Sequence, residues 1–237
     1  MLFQSMHQPL FWLFMLGCPP KSDGPAWIWL VLFAPITGAA RVILWLLGWS
    51  LFTPEQLYRV NYNPRTVLVF PHSSYVDFFF LLLYRAAHPC GLYHLRTLVK
   101  PQAFTYAGWF LRWIGCVPAS RLEERNSGSV NRIVEELKLS SRTILALSPK
   151  GTIYRREWRN GYYHIAQALK APILVGGIDY ETKLTYMGLP LDSSLPEPEI
   201  RAQLFKELSQ LVPLYPEHEV MPIRPHGPHR RTCRFIF

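Results

Sequence analysis

The sequence predicts an α/β domain with a mostly parallel central sheet flanked by helices, preceded by an N-terminal apolar membrane-binding helix or helical hairpin. Three observations lead there. From residue 53 onward, short β-branched runs alternate with helical patterns, the rhythm of βαβ units on a parallel sheet. Residues 27–52 are almost wholly apolar, interrupted by Pro35 and Arg41. Finally, 49% of the 237 residues are apolar, with 14 Phe, 12 Tyr and 8 Trp against 17% charged. That balance is too apolar for a disordered chain and suits contact with lipid. Two units follow: residues 1–52 as a membrane-associating segment and residues 53–237 as the α/β domain.

Residues 10–17 form a short apolar stretch before Cys18, but no Lys or Arg precedes Lys21. A secretory signal needs a basic n-region, so this stretch reads as an interfacial or packed segment. Residues 27–52 reach the length of about 20 apolar residues that a membrane span requires. Arg41 at the middle opposes a span, because a charge at the bilayer centre is expensive. Two shorter helices bent between residues 35 and 41 would let Arg41 reach the headgroups, and that shallow hairpin is the expectation. A buried core helix is the alternative. Strands are expected at 66–70, 92–98, 116–119, 143–147 and 172–178, and helices at 75–87, 102–113, 129–139 and 161–169. A last helix at 197–211 carries Ile200, Leu204, Leu208 and Leu211 on one face. Beyond residue 213 the chain is rich in Pro and His and reads as irregular.

Charge narrows the partners. The net charge is +9, from 25 Lys and Arg against 16 Asp and Glu. The cations are scattered among aromatics, without a basic block or a nucleic-acid-binding signature, so a membrane surface is expected and nucleic acid is not. Cys18, Cys90, Cys116 and Cys233 are widely spaced with no C-x-x-C pair, which reads as reduced, cytosol-facing chemistry. His226, His229 and Cys233 in the tail lack a paired-ligand pattern, and no metal site is expected there.

The densest chemical signal is Pro71-His72-Ser73-Ser74-Tyr75-Val76-Asp77, directly after the first strand. Strand ends of α/β sheets are where reactive groups collect. A carboxylate five residues after the imidazole, in the first turn of the next helix, can fold back onto it. Paired so, Asp77 orients His72 and stabilises the imidazolium that forms when the ring takes a proton. The bland alternative makes Asp77 a helix-start residue and His72 an incidental turn residue. Ser73 or Ser74 as a nucleophile is disfavoured, since no G-x-S-x-G elbow surrounds either.

Four blocks in fixed order carry a resemblance. They are His72 with Asp77; Val99-Lys100-Pro101 running to Gly115-Cys116-Val117-Pro118-Ala119-Ser120-Arg121; Ser148-Pro149-Lys150-Gly151-Thr152, followed by Trp158, Gly161 and Tyr162; and Ala171-Pro172-Ile173-Leu174-Val175. Together they resemble the glycerolipid acyltransferases of the lysophosphatidate (1-acylglycerol-3-phosphate) acyltransferase type, over residues 68–177. The resemblance implies an O-acyltransferase with no resident cofactor. His72 would act as general base, oriented by Asp77, on the free hydroxyl of a lysophospholipid. That hydroxyl would attack the thioester of acyl-CoA or of an acyl carrier protein. Backbone N–H groups near Gly151 or Val117 would stabilise the oxyanion. Lys100, Arg121, Lys150, Gly151 and Thr152 would bind the acceptor phosphate. Membrane lipids and the thioester carrier are the implied partners, with the catalytic domain on the cytosolic side of a membrane.

The third block departs from the family's usual Pro-Glu-Gly-Thr-Arg. Lys150 replaces the acid and Ile153 the arginine, moving charge by two units and removing a bidentate phosphate fork. Lys150 can supply that contact itself, with Arg155, Arg156 or Arg159 assisting. Trp158, Tyr162 and Tyr163 fit either a lipid entrance or the core. A phospholipid–lysophospholipid transacylase and a non-catalytic lipid-binding membrane protein are the competing readings.

Overall fold

The computed structural model describes residues 26–88, 94–119, 128–152, 154 and 157–215; for 26–33 and 128–129 only the backbone path is described. Expectations for residues 10–18, Cys90, Ser120, Arg121, Ile153, Arg155, Arg156 and the tail after 215 therefore lie outside the described residues.

Helix α1 (Ala26–Leu46) is followed by α2 (Pro54–Asn61) and strand β1 (Arg65–Val69). Then come α3 (Tyr75–Ala87), β2 (Leu95–Val99), α4 (Ala103–Trp113), β3 (Cys116–Pro118) and α5 (Gly128–Lys138). The chain continues through β4 (Thr143–Leu147), α6 (Gly161–Leu169), β5 (Ile173–Asp179), β6 (Leu184–Met187) and α7 (Glu197–Leu208). The sheet order is β3-β2-β4-β1-β5-β6. Strands β1 to β5 are parallel, and β6 pairs antiparallel with β5. The expected α/β domain with a mostly parallel sheet is present.

Alternation along the strands builds two cores, because successive side chains point to opposite faces. Leu68, Phe70, Ile144, Ala146 and Leu174 pack with α1, α2 and α3, through Leu44, Val60 and Tyr84 among others. Val67, Val69, Leu145, Leu147 and Val175 pack with α5, α6 and α7, through Val134, Ile165 and Leu204. The chain moves outward from β1 to β2 to β3 and back through β4 to β5, so right-handed crossovers place α3 and α4 on one face and α5 and α6 on the other. Trp158 and Tyr162, open between lipid entrance and core in the sequence, belong to the second core; the Trp158 ring stands edge-on to Phe205 at 4.7 Å.

Two short elements escaped the sequence reading. Helix α2 is started by Thr53, whose hydroxyl accepts from the Gln56 N–H while the Gln56 side chain accepts from the Thr53 N–H, a reciprocal cap. Strand β6, four residues long, is too short for periodicity to mark.

The N-terminal apolar segment differs from the bent hairpin expected. It forms one helix over Ala26–Leu46 with Pro35 inside it. Ala40 and Leu44, four residues apart and on one face, are buried against the core. Arg41 does not need headgroups as an outlet here: its Nε donates to the Ala87 carbonyl oxygen at 3.0 Å, at the C-terminal end of α3. Outward, Val42, Ile43, Trp45 and Leu46 stay exposed. Among the described residues, no helix is long and apolar enough to cross a membrane.

Candidate active site

Parallel pairing brings the C-terminal ends of β1, β2, β4 and β5 to one edge of the sheet, and the sequence-predicted residues sit there. Strand β1 delivers His72, β2 delivers Lys100, β4 delivers Lys150, Gly151 and Thr152, and β5 delivers Tyr180.

After β1, the Phe70 N–H still donates to Leu147 O at 2.9 Å, extending the ladder by one bond. Pro71 lacks an N–H and ends it. Ser74 is extended (φ −146°, ψ 167°) and caps α3, its Oγ accepting from the N–H groups of Val76 (3.1 Å) and Asp77 (3.3 Å). Asp77 closes the reciprocal half of that cap. Its Oδ2 accepts from the N–H of Ser73 (2.7 Å) and of Ser74 (3.0 Å), and from Ser73 Oγ (3.4 Å). Its Oδ1 accepts from the Tyr180 hydroxyl, across 103 residues of sequence. The carboxylate is almost fully buried.

This differs from the direct fold-back expected of the pair. Among the described residues no hydrogen bond joins His72 to Asp77, because the carboxylate's lone pairs are taken by backbone donors and by Tyr180. The coupling that remains acts through space. Burial is the main reason that the His72 imidazole titrates below its ordinary value of 6.5. The Asp77 charge pulls the value back up, while the Lys150 and Lys100 cations push it down. The net result is a ring that stays neutral, the form in which it can accept a proton. Asp77 thus has both roles weighed for it, fastening the turn that carries His72 and offsetting the charge the ring would acquire.

Lys150 is fully buried, in a turn fastened by Gly151 N–H to Ser148 O (3.1 Å) and by Arg159 N–H to Pro149 O (2.9 Å). A buried ammonium at a strand end needs a compensating environment, which sets it apart from a solvated surface cation. Gly151 has φ +67°, a conformation open to glycine at no steric cost. Its N–H is engaged within that turn, and Val117 lies inside the β2–β3 ladder opposite Leu98. Lys100 and Arg159 are exposed, Thr152 half-buried.

Tyr180 was missed by the sequence reading. It directly follows β5, and the strand-end argument that picked out His72 applied to it equally. Burial and the neighbouring Asp77 carboxylate push its phenol upward, so it stays protonated and donates. Trp49 stands edge-on to the Tyr180 ring at 5.2 Å and packs on Phe80 at 4.5 Å. The segment after α1 therefore braces the site.

No curated protein matches the chain closely enough to count as a relative. The acyltransferase family model matches residues 52–177, just over half of the chain, from the last residue of the N-terminal segment through the middle of β5. With all four ordered blocks inside that match, the chain belongs to the acyltransferase family, that of the glycerolipid acyltransferases.

Proposed function

We propose that this chain transfers a fatty acyl group from a thioester, acyl-CoA or acyl carrier protein, to the free hydroxyl of a lysophosphatidate-like acceptor at a membrane surface. The acceptor oxygen bonds to the thioester carbonyl carbon as its proton passes to His72. The tetrahedral intermediate then expels the thiolate, which takes that proton back, and neither residue is covalently modified. Asp77 steadies the imidazolium through space, and Tyr180 holds Asp77. Lys150 and Lys100, with Arg121, neutralise the acceptor phosphate.

The observation that carries this reading is the convergence, at one sheet edge, of a partly buried neutral imidazole and a lysine buried within its electrostatic reach. Lysine in place of the family's usual acid adds to burial in favouring the neutral His72 and supplies positive charge for a phosphate. Membrane association is supported by the apolar side chains that α1, α3 and α4 turn outward, among them Trp45, Phe79, Tyr106 and Trp109. The test is thiol release from acyl-CoA, with mass spectrometry of the lipid product, for purified wild type and His72→Ala. Turnover in the variant equal to wild type would remove the assignment. Lipid remodelling without thiol release would make the donor a phospholipid.

A further inference from the structure

At the opposite edge of the sheet, the N-terminal ends of β2, β3 and β4 enclose a second cavity of about 410 Å³. Three arginines reach it from three elements: Arg85 from α3, Arg96 from β2 and Arg142 from just before β4. His94, Ser140 and Ser141 complete its polar wall, and among the described residues no carboxylate lines it. Among the described residues, neither the Arg96 nor the Arg142 guanidinium makes a hydrogen bond or an ion pair. Cationic side chains converging on one concavity raise its positive potential and favour an anion there.

The cavity is built around one of them. Arg85 donates to the Ile114 carbonyl oxygen, and Gly115 beside it has φ +80°. A Cβ at Gly115 would lie 2.9 Å from the Arg85 guanidinium and 2.9 Å from the Leu95 oxygen. Glycine there satisfies the left-handed backbone and leaves room for the guanidinium.

We infer that this cavity is a second anion site, distinct from the His72 edge, which takes the phosphate of an anionic membrane lipid. Guanidinium forks match phosphate oxygens, and the volume admits a headgroup rather than a bare ion. Two features point to a lipid. Trp113 and Leu139 stand at the rim with 70% and 88% of their surfaces exposed, an aromatic and an aliphatic side chain beside cations, as at a membrane interface. Trp113 also stands one turn after the exposed Trp109 on the part of α4 beyond the kink at Ala107, on the face that carries the outward apolar residues of α1 and α3. Arg96 and Lys100 are four positions apart along β2 and its end, about 13 Å, so an anion cannot serve both sites. The inference does not rest on acyl transfer.

The test is flotation of the full-length protein with phosphatidylcholine vesicles, with or without phosphatidylglycerol, comparing wild type with Arg96→Gln/Arg142→Gln. Each lost cation near an anionic surface weakens binding about fivefold, so the pair is expected to lose roughly thirtyfold on phosphatidylglycerol vesicles and little on phosphatidylcholine alone. Ser141→Glu, an exposed position that places a carboxylate in the cavity, is expected to show the same loss, whereas Lys100→Ala is not. Equal vesicle binding by wild type and both cavity variants, with phosphate binding absent or unchanged in the double variant, would overturn the site. If inorganic phosphate binds wild type by calorimetry, fails to bind the double variant, and vesicle binding is the same for both, the lipid assignment falls and a soluble phosphate takes its place.

Discussion

The two ends of α3 each hold a histidine, and they differ in what surrounds it. At the N-terminal end, His72 is half-buried, near one carboxylate and two lysines. At the C-terminal end, His88 is the capping residue, buried at 4% exposure, with the Phe52 ring 5.7 Å from its own. Its Nε2 is enclosed with no hydrogen-bond partner among the described residues. Burial and the nearby Arg41 push its pKa down to about 4. Both rings are held neutral, mainly by burial. His72 alone has a carboxylate ready to offset the charge gained with a proton, and it alone lies at the strand ends. Burial sets the protonation state of both rings, and the Asp77 carboxylate sets His72 apart.

The largest effect expected from breaking this contrast is His72→Ala, which should lower turnover by roughly 10²- to 10⁴-fold, the worth of a positioned general base. Melting temperature should change little, and calorimetry beside the thiol-release assay checks both. Next comes Asp77→Asn. Removing the charge that raises the His72 pKa should move the acidic limb of the pH–rate profile to lower pH, with turnover down roughly ten- to a hundredfold. The weakened cap should cost about 1–3 kcal/mol of stability. Lys150→Met works in the opposite direction. With a depressing cation gone, the acidic limb should move to higher pH, and KM for a phosphorylated acceptor should rise. Limbs moving the same way in both variants would mean that charge does not set the His72 titration.

His88→Leu sharpens the other end. A folded-state pKa of about 4 against an ordinary 6.5 means that neutral His88 supports the fold fully above about pH 6.5. That support drains as pH falls through 4, because the unfolded chain binds the proton more readily. The leucine variant should therefore keep its turnover at neutral pH and lose less stability than wild type between pH 6.5 and 4, as denaturant titration at the two pH values would report. Arg41→Met is the smallest change. It removes the bond to Ala87, worth about 1–3 kcal/mol, and should let the His88 pKa rise.

Much of the site was legible because its parts lie close in sequence. Strand β1, the α3 cap and the five-residue offset from His72 to Asp77 are local, and long apolar runs marked α3, β4 and α6 at their observed bounds. The third block stood out because Lys150 occupies an acid's usual place. The arrangement of the carboxylate was not legible. Local spacing let Asp77 reach either His72 or the start of its own helix, and the backbone donors of Ser73 and Ser74 prevailed because N–H groups at a buried helix start must be satisfied. Tyr180 could not be tied to Asp77 from spacing, since the contact depends on β5 lying beside β1. Arg41 read as a charge stranded in an apolar run, because its acceptor belongs to a helix more than forty residues later.

Periodicity, caps and strand-end turns act over a few residues, so the class of the domain, the order of its central elements and a short set of candidate residues were legible in the sequence. Only the tertiary structure decided which donors hold Asp77, that Tyr180 joins them, that Arg41 ends α3, and that three arginines meet at the far edge. Those contacts depend on strand order and helix face, which no local pattern encodes.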